Sequence, residues 1–398
     1  MSCLSRKKLI IVLILCVLPF FCSAAFAKPE GDDEAKVTAE ELKDEIERQV
    51  GELDLSSWQR CFEQTEGLSE LGFNGVEDML LEYSENGASS DPVGILGMLK
   101  ALLIQQTADA RGLIVGLTAA ALITGLAGLL PQGGIKPVLS FALGTAAVLA
   151  VASAFAALCS IAAECIRSTG AFVQAAMPVM TVLLSAVGAT ASEGVLRPLM
   201  LFLSGAMITF AEKVLLPLIL FGGIVNIVEC IGGSDRLHEL SRLITKTIKW
   251  LLGLASVLYF AVCALQGMTV SAADGISIRT AKYTLDRLLP STNGLIGGSV
   301  DAFMSCALLV KNGAGAASIV IMLGIIAKPL IRIAAGMTVF RISAALARPV
   351  AAPAVTRMLS GAADMTGYLF GAAAIVGAMF AVTMMVFIAA GGASAGLW

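Results

Sequence analysis

Histidine occurs once in these 398 residues, at His238, and Asp, Glu, Lys and Arg together make up only 14% of the chain, against ~25% in average globular proteins. A single histidine excludes the H-E-x-x-H pair of an intramembrane zinc protease. A histidine-assisted serine nucleophile would have to rely on His238, and no serine stands on a recognisable nucleophile turn. No C-x-x-C pair occurs among the nine cysteines, three of which lie in the first 27 residues, so no disulfide framework is evident. The cysteines of the apolar body read as small packing residues. A nucleotide-binding loop is missing too, because Lys311-Asn312-Gly313-Ala314-Gly315 sets the lysine and glycines in the wrong order. These absences point away from an enzyme. No catalytic residue, metal or cofactor is expected, and energy for any transport must come from a gradient or another subunit.

Apolar runs fill the chain instead. Hydrophobic residues make up 57% of it, and the mean hydropathy is +0.85. Val138 to Ile161, Leu199 to Ala211, Val214 to Val228, Trp250 to Ala273 and Met365 to Trp398 contain no charged residue. Stretches that can supply ~20 helical residues match the hydrocarbon thickness of a bilayer. The expected fold is therefore an all-α polytopic membrane protein with about eight spans, near 112–130, 138–161, 171–189, 196–211, 214–231, 250–271, 313–331 and 365–391. The fourth and fifth meet at Glu212-Lys213 and Pro217, and read as a short hairpin or as one kinked helix. Residues 295–310, with Asp301 inside, fit a re-entrant or interfacial helix better than a full span. Glycine pairs and the spacings Gly112-x-x-x-Gly116 and Gly367-x-x-x-Gly371 allow close helix approach.

The N-terminus has a different character. Arg6, Lys7 and Lys8 precede an apolar stretch from Leu9 to Phe21, and Ala25-Phe26-Ala27 forms an A-x-A site before Lys28. That pattern is a cleavable signal peptide over 1–27, with an uncleaved anchor as the alternative. Residues 28–92 carry 19 acidic against 5 basic side chains. They form an acidic, exported segment in which Glu40 to Val50 and Val76 to Tyr83 read as helices, and Leu53, Leu55, Trp58 and Phe62 extend an apolar face. About 65 residues with so few large apolar side chains make a marginal core, so this head is expected to dock on something or to stay partly mobile. Val93 to Gln106 is amphipathic and is expected to lie against the membrane, at the start of a multi-pass domain over 93–398.

Basic residues set the orientation. Lys328, Arg332, Arg341, Arg348 and Arg357 come with no acid between them, and the 232–249 loop is also net positive. Positive loops stay in the cytoplasm. Eight spans counted from an exported head place both there, together with Lys136, and place the C-terminus outside.

Ionisable residues in hydrocarbon are costly and often functional. Glu164, Glu212, Lys213, Glu229, Asp301 and Asp364 are of this kind; Glu229 and Asp364 lie near span ends, and Asp301 is the deepest. The polar break Asp274 to Asn293 stands apart. Arg279, Lys282 and Arg287 alternate there with apolar residues to give a basic amphipathic segment on the exported side, which suggests a protein or lipid contact. Folding back to pair with Asp274 and Asp286 is the alternative.

At this segment the chain resembles a known family. Asp274-Gly275-Ile276-Ser277-Ile278-Arg279-Thr280-Ala281-Lys282-Tyr283, then Pro290, Asp301 and Leu308-Leu309-Val310-Lys311-Asn312-Gly313, is similar to the stage III sporulation protein AE family of endospore-forming bacteria. The resemblance implies a polytopic subunit of a channel or secretion-like complex in the mother-cell membrane surrounding the forespore, required for forespore maintenance and late forespore gene expression. It implies as partners the other stage III sporulation A-operon proteins, the stage II sporulation protein Q complex across the intermembrane space, and a YidC-type insertase, with no nucleic acid. The residues singled out as functional or contact candidates are Asp274, Arg279, Lys282, Asp301, Lys311 and Glu229. A gradient-driven permease acting alone, using Asp301 and a broken helix pair at Glu212 and Pro217, is the main rival. A non-conducting scaffold is the other.

Overall fold

A computed structural model describes residues 39–65, 73–86, 136–232, 235–288, 296–348 and 353–390. From Gly267 to Leu288 and from Ile296 to Met304 the description covers the backbone alone. The leader, the amphipathic stretch 93–106 and the span 112–130 lie outside the described residues.

Among the described residues every element is helical. Three short helices form the head: α1 (Ala39–Gly51), α2 (Ser56–Gln64) and α3 (Val76–Asn86). Long ones follow: α4 (Lys136–Ala186), α5 (Thr190–Phe210), α6 (Leu216–Gly232), α7 (Asp235–Leu288), α8 (Ile296–Ala347) and α9 (Pro353–Ala389). A π-helical turn, Ala211–Leu215, joins α5 to α6 without a break.

Among the described residues five stretches are long and apolar enough to cross a membrane: Gly144–Ala186, Leu196–Glu229, Glu239–Gln266, Ser305–Ala347 and Ala354–Ala389. The sequence predicts seven in the same region, and the difference has two causes. Residues 138–161 and 171–189 belong to one helix, α4. Residues 196–211 and 214–231 belong to one helical path through the π turn, so the hairpin alternative fails. Charges in the gaps between the predicted spans, Glu164 and Arg167 in the first case and Glu212 and Lys213 in the second, sit inside helices. Two corrections concern loops. The 232–249 segment is mostly the start of α7, and α8 runs to Ala347, so little of the basic stretch is loop.

Residue pairs fix how the helices lie. Near one end, Gly222 of α6 faces Ile244 of α7 and Met365 of α9, Gly223 meets Phe155 of α4, and Gly336 of α8 meets Leu158 of α4. Arg341 pairs there with Asp364 at 3.8 Å, and the Lys249 ammonium lies 5.6 Å from the Tyr368 ring centroid. Toward the other end, Gly377 faces Ile326 and Gly315 faces Ile388. From Asp364 to Ile388 α9 rises ~36 Å, one bilayer's worth of helix. Removing two crossings keeps the parity, so the basic N-terminal part of α7 and the basic C-terminal part of α8 still share one end.

Close approach at that end depends on glycine. A methyl group at Gly223 would overlap the Phe155 ring, and one at Gly336 would overlap Leu158. Gly367 and Gly371 face different neighbours, Met337 of α8 and Leu252 of α7. Their spacing thus serves packing within the chain. Two buried hydroxyls are satisfied inside their own helices, Thr169 to the Cys165 carbonyl at 2.7 Å and Thr366 to the Ala362 carbonyl at 2.8 Å. Such back-bonding lets polar residues sit in an apolar bundle.

Candidate functional site

The head packs on the bundle end opposite the basic residues. Gly313 of α8 lies directly under Ser84 of α3, and a side chain there would strike Ser84 side-chain and backbone atoms. Trp58 is fully buried. Its ring tilts against Phe172 of α4, centroids 5.9 Å apart, and its indole N–H donates to the Ala175 carbonyl at 3.3 Å. A buried tryptophan needs an acceptor for its N–H, and this carbonyl supplies it from the turn before Pro178. Within the head, the Gln59 side-chain carbonyl accepts the Val76 N–H at 3.0 Å, tying α2 to the start of α3. Ile46, Val50, Phe62 and Leu80 complete the buried face. The head therefore docks, one of the two outcomes its composition allowed.

Its charged groups face water. Hydrogen bonds from Arg48, then from Gln49, hold the Glu45 carboxyl below its ordinary range. Ser56, through its hydroxyl and its backbone N–H, does the same for Asp54. Burial pushes the Cys61 thiol up.

Two turns before Ser318 on α8, Lys311 is completely buried beneath this junction. Its ammonium donates to the Ile388 carbonyl at 2.9 Å and to the Ala390 carbonyl. A helix ends with carbonyls that lack N–H partners and with a partial negative charge. Lys311 supplies both donors and countercharge to the end of α9. The side chain was legible only as part of a family-like motif; its partner lies 77 residues away.

The other candidates fall differently. Asp274, Arg279 and Lys282 lie on the continuous helix α7, which runs to Leu288, rather than on a polar break between helices. Asp301 lies on α8, which continues without interruption into the predicted seventh span, so 295–310 is not a separate re-entrant helix. Glu229 sits half-buried in the last turn of α6, at the end of its candidate span. The structure brings Lys311 against the end of α9.

Sequence reading missed an ion pair at mid-height on the flank of the bundle. Arg167 Nε donates to Glu212 Oε1 at 2.6 Å, linking α4 to the π turn. Arg167 stands 12 residues beyond Phe155, and Glu212 stands 10 before Gly222, so both lie ~15–18 Å from the basic end. That is half the ~36 Å spanned by α9. Opposite charges in the two gaps between predicted spans were the available clue. A buried hydroxyl pair, Tyr259 of α7 with Thr383 of α9, was also missed.

Comparison with known proteins identifies relatives. The model of the family described as stage III sporulation protein AE matches residues 75–391. Stage III sporulation protein AE of Bacillus subtilis (strain 168) is 26% identical over 230 residues, covering 58% of this chain and 58% of that protein. The chain thus spans less than two thirds of the length of the relative it matches. No solved structure matches.

Proposed function

The chain belongs to the stage III sporulation protein AE family, and on that premise we propose that it is a non-enzymatic membrane subunit of a sporulation channel or secretion-like complex. The complex joins mother cell and forespore and maintains the forespore. The chain sits in the mother-cell membrane around the forespore, its basic end in the cytoplasm and its acidic head in the intermembrane space. There it meets the stage II sporulation protein Q complex and the other stage III A-operon proteins, after insertion by a YidC-type insertase.

One observation carries the preference for a subunit over a lone permease. The permease reading needs a broken helix pair at Glu212 and Pro217, whereas the helix is continuous there and Glu212 is neutralised by Arg167 on the flank of the bundle. A head with its apolar face already docked leaves an acidic, hydrophilic surface outward, suited to contact with other soluble domains.

Affinity isolation of the tagged chain from sporulating cells tests this. Co-purification of other sporulation membrane subunits is expected. A chain that isolates alone and moves solute across vesicles by itself overturns the proposal. Asp301→Asn with Glu229→Gln then separates conduction from scaffolding: spore formation lost with assembly intact marks conduction, and no effect marks a scaffold.

A further inference from the structure

We propose that the outer face of α4 is a contact with a second copy of this chain, packed side by side about a two-fold axis along the membrane normal. On α5, α6 and α7 the exposed membrane surface is what lipid requires. Phe202, Leu220 and Phe221 on α5 and α6, and Trp250, Val257 and Leu265 on α7, are large, apolar and exposed. On α4 no exposed large hydrophobic residue occurs between Leu149 and Val182. Ser153, Ala157, Ser160, Glu164, Arg167 and Ala171 lie on the exposed side there, at alternating spacings of four and three. That alternation is the seam of two helices crossing at a shallow left-handed angle. Small and hydroxyl side chains at such positions let membrane helices approach closely.

Charge supplies the second argument and chooses the occupant. The Arg167 side chain is 64% exposed although it lies at mid-height, and Glu212, its partner, is 23% exposed. Glu164 and Lys213 are exposed at the same level. Charge facing acyl chains at mid-bilayer is strongly disfavoured, so this face needs a polar neighbour at the same depth. A second copy provides one automatically, since a cyclic axis along the membrane normal sets equal heights side by side. The patch holds two acids and two bases, so it is complementary to itself: Glu164 of one copy reaches Arg167 of the other. This inference rests on the helix surface and does not depend on the role in sporulation.

Two variants of the full chain test it. Ser160→Cys, oxidised in native membranes, is expected to form a covalent dimer several-fold above the unsubstituted chain, while Leu258→Cys on the lipid face of α7 stays at background. A disulfide needs Cβ atoms within ~4 Å, which a residue near the two-fold axis achieves and a lipid-facing one does not. Ser160→Leu is compatible with helix and lipid alike, but too large for a close seam. It is expected to convert a particle of two chains, weighed by light scattering in lipid nanodiscs, into one of a single chain with unchanged thermal stability. A single-chain mass for the unsubstituted protein overturns the proposal. So does cross-linking at residue 160 no greater than at residue 258, or a two-chain mass unmoved by Ser160→Leu. A different subunit on this face, or the chain's own segment 112–130, would show as a single-chain mass with no covalent homodimer.

Discussion

Two tryptophans show how differently head and bundle use the same side chain. Trp58 in the head is fully buried against α4, whereas Trp250 in α7 is 65% exposed. Water surrounds the head, so each large apolar group must be covered, and three short helices cover theirs only by borrowing the flanks of α4 and α8. Lipid surrounds α7, so leaving indole or leucine outside costs nothing and covering it gains nothing. Burial is therefore a measure of stabilisation in the head but not on the surface of the bundle, where small residues and polar partners decide which helices touch.

The sharpest way to break that comparison is to truncate both rings. Trp58→Ala should destabilise head docking by about 3–5 kcal/mol, while Trp250→Ala should change stability by less than about 0.5 kcal/mol. Limited proteolysis of the head and thermal unfolding in detergent would read both, and equal effects would remove the contrast. Lys311→Met tests the junction beneath. It leaves the Ile388 and Ala390 carbonyls without these donors, at about 1–3 kcal/mol, and should speed amide hydrogen exchange in the last turns of α9 while leaving the basic end unchanged.

A glycine pair sharpens the bundle's side of the comparison. Gly223→Ala forces the new methyl into the Phe155 ring, for about 1–3 kcal/mol of overpacking. Gly253 has nothing within 4 Å of the added atom, and Gly253→Ala should stabilise α7 by up to about 1 kcal/mol through helix propensity. Melting temperatures moving in the same direction would contradict the assignment of the two faces. The smallest effect is one of pH. Glu45 and Asp54 have carboxyls held below their ordinary range in the folded head. Their contribution is full above the unfolded values near ~4 and fades as pH falls through the folded ones. Protease protection of the head should therefore decline below about pH 4 and not above it, whereas protection that rises on acidification would refute these hydrogen bonds.

Legibility followed the same divide. Two of the head's three described helices, Ala39–Gly51 and Val76–Asn86, were readable to within a few residues, because alternating charge and apolar residues at positions such as Leu42, Ile46 and Val50 mark a helix with one wet side; Ser56–Gln64 was read only as an extension of an apolar face. The membrane character of the rest was equally plain. Span boundaries were not, because Arg167 and Glu212 fall in the gaps between apolar runs. Only their apposition across 45 residues shows one ion pair between two unbroken helices. Lys311 belonged to a recognisable motif, yet nothing local announces that it caps a helix 77 residues later.

Composition by itself determined the solvent: runs without charge, longer than a soluble core uses, commit this chain to a bilayer, and the placement of arginine and lysine groups the helix ends. Tertiary structure alone decided which charges neutralise each other, which end receives the head, and which helix face exposes small and charged side chains. The reason is physical. Transfer into lipid sums over single residues and can be read along a chain, whereas neutralising a charge or seating a glycine depends on an atom contributed from elsewhere.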